Sequence, residues 1–146
     1  MAPFRQAARV SPPAGVRVFP VIKRFRTPDE LLAFDDGRLE VISIDGAPVA
    51  KASYVPGWRW SRSGVTPPWP GRSAGPLAGL VLSGQATLRA SGGGETDLTT
   101  GDLFEAPLAA GYDLWVVGDH PCEILYLSGV EDLIAELRHR LQASPA

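Results

Sequence analysis

LAGLVLSGQATLRASGGGETDLTTGDLFEAP, residues 77–107, reads as four short strands cut apart by turns. The strands are Leu77–Leu82, Ala86–Ala90, Glu95–Leu98 and Leu103–Ala106, and the separators are Ser83-Gly84, Ser91-Gly92-Gly93-Gly94 and Thr100-Gly101-Asp102. Glycine and aspartate supply the left-handed backbone that tight turns demand, and Pro107 lacks the N–H that would extend the last strand. The same rhythm continues outward. Arg38–Ile44 alternates, with Leu39, Val41 and Ser43 on one face, and Asp45-Gly46 turns it into Val49–Val55. Downstream, Leu114–Val117 and Glu123–Leu127 flank Gly118-Asp119. Short strands with turns every 8 to 12 residues predict an all-β sandwich or barrel.

The two ends read differently. Residues 1–25 predict an extended arm, broken by Pro12, Pro13 and Gly15, with Val16, Val18, Val21 and Ile22 at strand-like apolar positions. Thr27-Pro28-Asp29-Glu30 has the form of a capping box and predicts a short N-terminal helix that stops before Asp35-Asp36-Gly37. Ser128-Gly129-Val130-Glu131 repeats that signal, and Val130, Leu133, Ile134, Leu137 and Leu141 fall on one face of an amphipathic C-terminal helix. The chain thus divides into an arm (1–25), a barrel (26–128) and a C-terminal helix with its tail (129–146), a single domain for 146 residues.

Composition excludes several classes of function. With a formal charge of -2, the chain has no field that attracts phosphate backbones, so nucleic acid is not an expected partner. Cys122 is the only cysteine, which rules out an intrachain disulfide, and no apolar run approaches the roughly 18 residues of a membrane span. A cytoplasmic location with no membrane partner is the expectation. Gly92-Gly93-Gly94 lies in a hairpin and serves turn geometry, not phosphate binding, and the chain has no Gly-x-Ser-x-Gly elbow.

The segment Gly101-Asp102-Leu103-Phe104-Glu105-Ala106-Pro107 resembles the Gly-Asp-x-Phe-x-x-Pro motif of the cupin superfamily. Pro56-Gly57-Trp58-Arg59-Trp60-Ser61 and Trp115-Val116-Val117-Gly118-Asp119-His120-Pro121-Cys122 are similar to segments of one group of small bacterial cupins. The resemblance spans about residues 26–128 and implies a cupin-type antiparallel β-barrel, a jelly roll. It also implies a metal site built from Gly-x5-His-x-His-x4-Glu-x6-Gly. Anchored on Gly64 and Gly84, that spacing places Pro70, Arg72 and Leu77 at the ligand positions, and Tyr112 stands where nearer relatives have a histidine. None of these is a metal ligand of the expected kind, and the only histidines are His120 and His139. No metal and no other cofactor is therefore expected.

A cupin barrel without its metal is a pocket for a small molecule. Trp58 and Trp60, two residues apart, share one face of a strand, with Arg59 on the other. Trp58, Trp60, Trp69, Leu77, Trp115 and Tyr54 are the candidate substrate-binding residues, suited to a flat apolar or aromatic ligand. Tyr112 beside Asp113, with Arg72 across the mouth, forms the candidate catalytic group, able to polarise a carbonyl or phenol and shuttle a proton. The alternative role of Asp113 is to cap a turn, with Tyr112 plugging the place of an absent histidine.

Three functions follow. The first is a cofactor-independent enzyme of small-molecule biosynthesis carrying out an isomerisation, cyclisation or dehydration. The second is a non-catalytic ligand-binding or sensor cupin. The third is a structural dimer with a vestigial pocket. A homodimer is expected in each case, with the Val16–Ile22 arm suited to strand exchange.

Overall fold

The computed structural model of the chain describes residues 19–63, 76–90, 92–107 and 112–143. Nine strands run in the order β1 (Glu30–Phe34), β2 (Gly37–Ile44), β3 (Ala47–Tyr54), β4 (Pro76–Ser83), β5 (Gln85–Arg89), β6 (Glu95–Thr99), β7 (Leu103–Pro107), β8 (Asp113–Val117) and β9 (Cys122–Ser128). A 3-10 turn, Trp60–Arg62, follows β3, and helix α1 (Glu131–Ala143) closes the described chain. All pairings are antiparallel. One sheet has the order β1-β2-β3-β9-β4-β7 and the other the order β6-β5-β8, with the chain crossing between them after β4, β6, β7 and β8. This is the layout of a jelly roll.

Three of those crossings, Ser83–Gln85, Thr99–Asp102 and Val117–Pro121, gather at one end of the molecule. The β4–β5 crossing needs its glycine: Gly84 has φ +80, and a Cβ there would lie 2.4 Å from the Pro121 carbonyl oxygen. Gly129 is held equally tightly where β9 hands over to α1, with φ +77 and a hypothetical Cβ 1.9 Å from the Pro76 carbonyl oxygen. Gly84 lets two of the crossovers touch, and Gly129 lets the link from β9 to α1 lie against the start of β4.

The short sheet faces only part of the six-stranded one. Helix α1 covers the rest, setting Leu133 and Leu137 against Phe34, Leu39 and Trp60 on the inner side of β1–β3. Val130, Leu133, Ile134 and Leu137 are all buried, as the helical spacing predicts, whereas Leu141 stays partly exposed. Arg138 clamps the helix to β1 through both carboxylate oxygens of Glu30. None of the described helices is long and apolar enough to cross a membrane.

The helix expected from Thr27 does not form. Glu30–Phe34 is strand β1, with Leu32 buried and Leu31 and Ala33 exposed, a period of two. Only four residues separate the cap signal from the Asp35-Asp36 turn, too few to offset the cost of helix nucleation, while pairing with β2 satisfies the whole segment. Asp29 takes part in that pairing, not in a cap: its N–H donates to the Val41 carbonyl, and its carboxylate accepts from the Ser43 N–H and pairs with Lys23. Lys23 and Ser43 together hold that carboxyl below the usual carboxylate range. Of the predicted arm, the part before residue 19 lies outside the described residues.

Candidate functional site

The interior of the β1–β3 half is filled by a run of aromatic rings. Tyr54, at the end of β3, stacks on Trp58 with ring centres 3.7 Å apart and planes 12° off parallel. Trp58 meets Trp60 edge-on at 6.0 Å, and Phe34 approaches Tyr54 at 6.3 Å. Trp58 and Trp60 do share a face, but not on a strand. Arg59 makes a single bridge to Trp115, Val116 donates to the Trp58 carbonyl, and Trp60 opens the 3-10 turn. Packing between these rings leaves a void of only about 10 Å³ beneath α1.

Two hydroxyls meet in this interior. Tyr54 and Tyr126 lie 2.8 Å apart, oxygen to oxygen, and Cys122 stands opposite Tyr54 in the β3–β9 register. Burial pushes both tyrosines above their ordinary value, and it pushes the Cys122 thiol up to about 11, with Glu123 adding to the shift. All three groups are neutral over the physiological range, so none is a ready nucleophile or base. The Trp58 indole N–H is buried without a partner.

The mouth of the barrel opens at the start of β4 and β8. Trp60, Leu77, Leu88, Phe104, Tyr112, Leu114 and Tyr126 line it, around a cavity of about 30 Å³. Phe104 reaches in from the Gly-Asp-x-Phe turn and packs over Gly79, where a Cβ would come within 2.8 Å of its ring. The structure therefore brings Trp60, Leu77 and Tyr112 together, as the sequence predicts, and adds Leu88, Phe104, Leu114 and Tyr126. Alternation along β9, with Ile124 and Tyr126 on the inner face, is the signal that could have found Tyr126.

Asp113 lies at the rim, 7% exposed, and both its oxygens are engaged. One accepts from the Ser61 N–H at 3.0 Å and the Leu114 N–H at 2.9 Å, the other from the Ser61 hydroxyl at 2.9 Å, with Arg59 Nε 3.7 Å away. The carboxylate ties the 3-10 turn to β8, the capping role that the sequence allowed as the alternative to catalysis. Trp115 does not face the interior. It pairs with Thr87 on the outer side of the three-stranded sheet and lies between Arg59 and Arg89, whose guanidinium carbons are 4.3 and 5.3 Å from its ring centre. Arg72 and Trp69 lie outside the described residues.

At the opposite end, where the crossovers gather, is a wide, open cleft of about 970 Å³, its wall a mixture of polar groups with Ala33, Tyr54, Val55, Val117 and Pro121. Ser53, Ser83, Gly84, Thr99, His120 and Glu123 line it, with Arg38 at its edge. Glu123 accepts from the hydroxyls of Ser53 at 3.3 Å and Ser83 at 3.2 Å, and Lys51 stands 3.5 Å off. Of the described binding residues that the sequence predicts, Tyr54 alone also borders this cleft, and His120 is exposed in its turn there.

The donor chemistry of the mouth does not suit a cupin metal. Leu77 stands where the resembled motif has its glutamate and Tyr112 where nearer relatives have a histidine, and no three His, Cys, Asp or Glu side chains among the described residues come together to hold an ion.

No family model matches the chain, and no curated protein matches it. Solved structures do. Ectoine synthase from P. lautus superposes with a TM-score of 0.55 over 80% of this chain and 86% of that one, at 12% identity. The Schizosaccharomyces pombe Cnp3 cupin domain gives 0.51 over 75% and 74%, also at 12% identity. A protein of unknown function (DUF1255) from Acidithiobacillus ferrooxidans gives 0.51 over 69% and 88%, at 22% identity. At such identities the likeness is one of architecture, and it agrees with the strand order and crossovers found here: the chain has the fold of the cupin superfamily.

Proposed function

We propose that the protein is a metal-independent cupin of the cytoplasm that binds a small apolar or aromatic molecule at the mouth of its barrel, as a binding or sensor module. One observation carries this reading: the mouth is lined by Trp60, Leu77, Leu88, Phe104 and Tyr126, while the one carboxylate at its rim, Asp113, is committed to Ser61 and Leu114. A general base must reach the proton it removes, and both oxygens of Asp113 already accept hydrogen bonds within the protein. The free space of about 30 Å³ is smaller than an aromatic ring, so a guest enters by parting Leu77, Leu88 and Leu114; the rings and aliphatic side chains then select a flat, apolar shape by contact area, and the Tyr112 hydroxyl offers one polar handle. The buried, single Cys122 suits a reducing compartment.

The test is a titration of the purified chain with a series of neutral aromatic probes from phenol to naphthol, read by tryptophan fluorescence and by chemical shifts of the mouth methyls. Saturable binding that shifts Leu77, Leu88 and Leu114 resonances, and that weakens at least tenfold in Leu77→Asp, supports the proposal. Binding that leaves those methyls unmoved, or near-stoichiometric zinc, iron, nickel or manganese in the purified protein, overturns it. An enzyme performing a non-redox isomerisation or cyclisation is the competing reading, and probe turnover lost in Tyr112→Phe would favour it.

A further inference from the structure

The interior of the barrel holds more hydrogen-bond donors than it can use. Tyr54 and Tyr126 are 2% and 1% exposed, and their hydroxyls bond to each other across 2.8 Å. Two hydroxyls carry two hydrogens, and the bond between them consumes one, whichever oxygen donates. The cross-strand neighbours of the pair, Ala50 and Gly79 beside Tyr126 and Gly37 and Cys122 beside Tyr54, give the second hydrogen no side-chain oxygen to go to. Among the described residues neither hydroxyl makes a further hydrogen bond. Trp58, stacked on Tyr54 and 4% exposed, adds an indole N–H without a partner. A buried donor without an acceptor is costly, so the acceptor must come from water or from a guest.

Tyr126 borders the mouth cavity and Tyr54 the void beneath α1, with Trp60 as their common wall, so the hydroxyl pair lies between the two spaces. Resting on the reading of the mouth as the binding site, we infer that the guest is a flat carbonyl compound, a cyclic or aryl ketone, whose oxygen accepts the spare hydrogen of Tyr126 while Tyr54 donates to Tyr126 from behind. A chain from Tyr54 through Tyr126 to the carbonyl uses both hydrogens, and each bond polarises the next. Both tyrosines stay protonated well beyond neutral pH, so the donor is present throughout the physiological range. The same shortage of acceptors decides what is refused. Both oxygens of Asp113 at the rim are taken, so an alcohol or amide guest would bury an O–H or N–H of its own with nothing to receive it. A hydrocarbon of the same shape would leave the spare hydrogen where it was. Of the three, only the ketone lowers the number of unmet donors. Tyr112 does not select in this way, because its side chain is only half-buried and water serves its hydroxyl without a guest.

Probes of one shape, 1-indanone, 1-indanol and indane, test this when titrated into the purified full chain and followed by the methyl resonances of Leu77, Leu88 and Leu114. The expected result is that 1-indanone binds about tenfold more tightly than either of the others. Tyr126→Phe, which keeps the ring and is checked for folding by near-ultraviolet circular dichroism, brings 1-indanone down to the level of indane. Tyr54→Phe gives up part of the preference, and Tyr112→Phe leaves it in place. A measurement on the unaltered protein needs no variant: the infrared carbonyl stretch of bound 1-indanone lies below its value in hexane. Equal affinity for all the probes, with the methyls shifting, overturns the inference and leaves the mouth reading standing, since water alone would then satisfy Tyr126. A preference for 1-indanone that survives Tyr126→Phe overturns it too, as does a carbonyl stretch at its hexane position. Methyl resonances that no probe moves overturn the mouth reading itself, and the inference with it.

Discussion

Two carboxylates, one at each end of the barrel, gather hydroxyl groups in the same way and come out with opposite properties. Asp113, at the mouth, is 7% exposed and takes a serine hydroxyl and two backbone N–H groups around a cavity of about 30 Å³. Glu123, at the crossover end, takes two serine hydroxyls beside an open cleft of about 970 Å³, with its side chain 35% exposed. The larger space is the more open one, and its carboxylate stays partly exposed to solvent. The smaller space is walled by rings and aliphatic side chains, so each polar atom there must be satisfied by the protein itself. On the proposed reading, the apolar ligand takes the smaller of the two spaces.

Removing the wall between the two ends gives the largest effect. Tyr54 is the ring on which Trp58 stacks, and its hydroxyl is the partner of Tyr126. Tyr54→Ala is expected to cost about 3–5 kcal/mol, measured by urea unfolding, because the site is fully packed and cannot collapse around the loss. Tyr54→Phe keeps the stack and strands only the Tyr126 hydroxyl, for about 1–3 kcal/mol. Next comes Asp113→Ala, which leaves the Ser61 N–H without its acceptor and frees the turn that carries Trp60. A loss of about 1–3 kcal/mol is expected, together with weaker probe binding at the mouth. A loss in stability with probe affinity unchanged would separate Asp113 from the site.

Alkaline pH probes the same interior. Burial raises the Cys122 thiol from 9.0 to about 11, and it raises both tyrosines above 10.0. The unfolded chain therefore gives up its thiol proton from about pH 9 while the folded chain keeps it to about 11, so the unfolded state binds fewer protons and stability falls as pH rises through that window. The melting temperature should drop from about pH 9 upward, and the thiol should resist disulfide-exchange reagents at pH 8 until the protein is unfolded. A flat profile between pH 8 and 11 would mean that the strands around Cys122 admit water.

The turns were the most legible part of the chain, because tight-turn chemistry is local: Asp45-Gly46, Ser83-Gly84 and Gly118-Asp119 each mark a real reversal. The cap at Thr27 is equally local and misled, since the cross-strand bonds that make Glu30–Phe34 a strand come from a partner that the cap cannot see. Trp115 was misplaced for a related reason. Leu114–Val117 is apolar at every position, so alternation says nothing about which residues face inward, and only Arg59 and Arg89 on the outer side decide it. The Asp113–Ser61 contact joins residues 52 apart and was beyond any pattern in the sequence.

The smallest effect is the sharpest test of the comparison. Glu123→Gln keeps the shape of the side chain and both serine contacts, and removes only the charge that faces Lys51. At a site open to solvent such a pair contributes less than about 1 kcal/mol, so unfolding in urea should barely change, and the change should vanish in high salt. Asp113→Asn is the matched substitution at the mouth. There the amide oxygen can keep the Ser61 and Leu114 N–H groups, but the NH2 in place of the other oxygen cannot accept from the Ser61 hydroxyl, and the charge that strengthens all three bonds is lost at a buried position. The mouth variant should lose more stability than the cleft variant, with little dependence on salt. Equal losses, or a salt-sensitive loss at Asp113, would mean that the mouth is as wet as the cleft and that an apolar guest has no preference between the two ends.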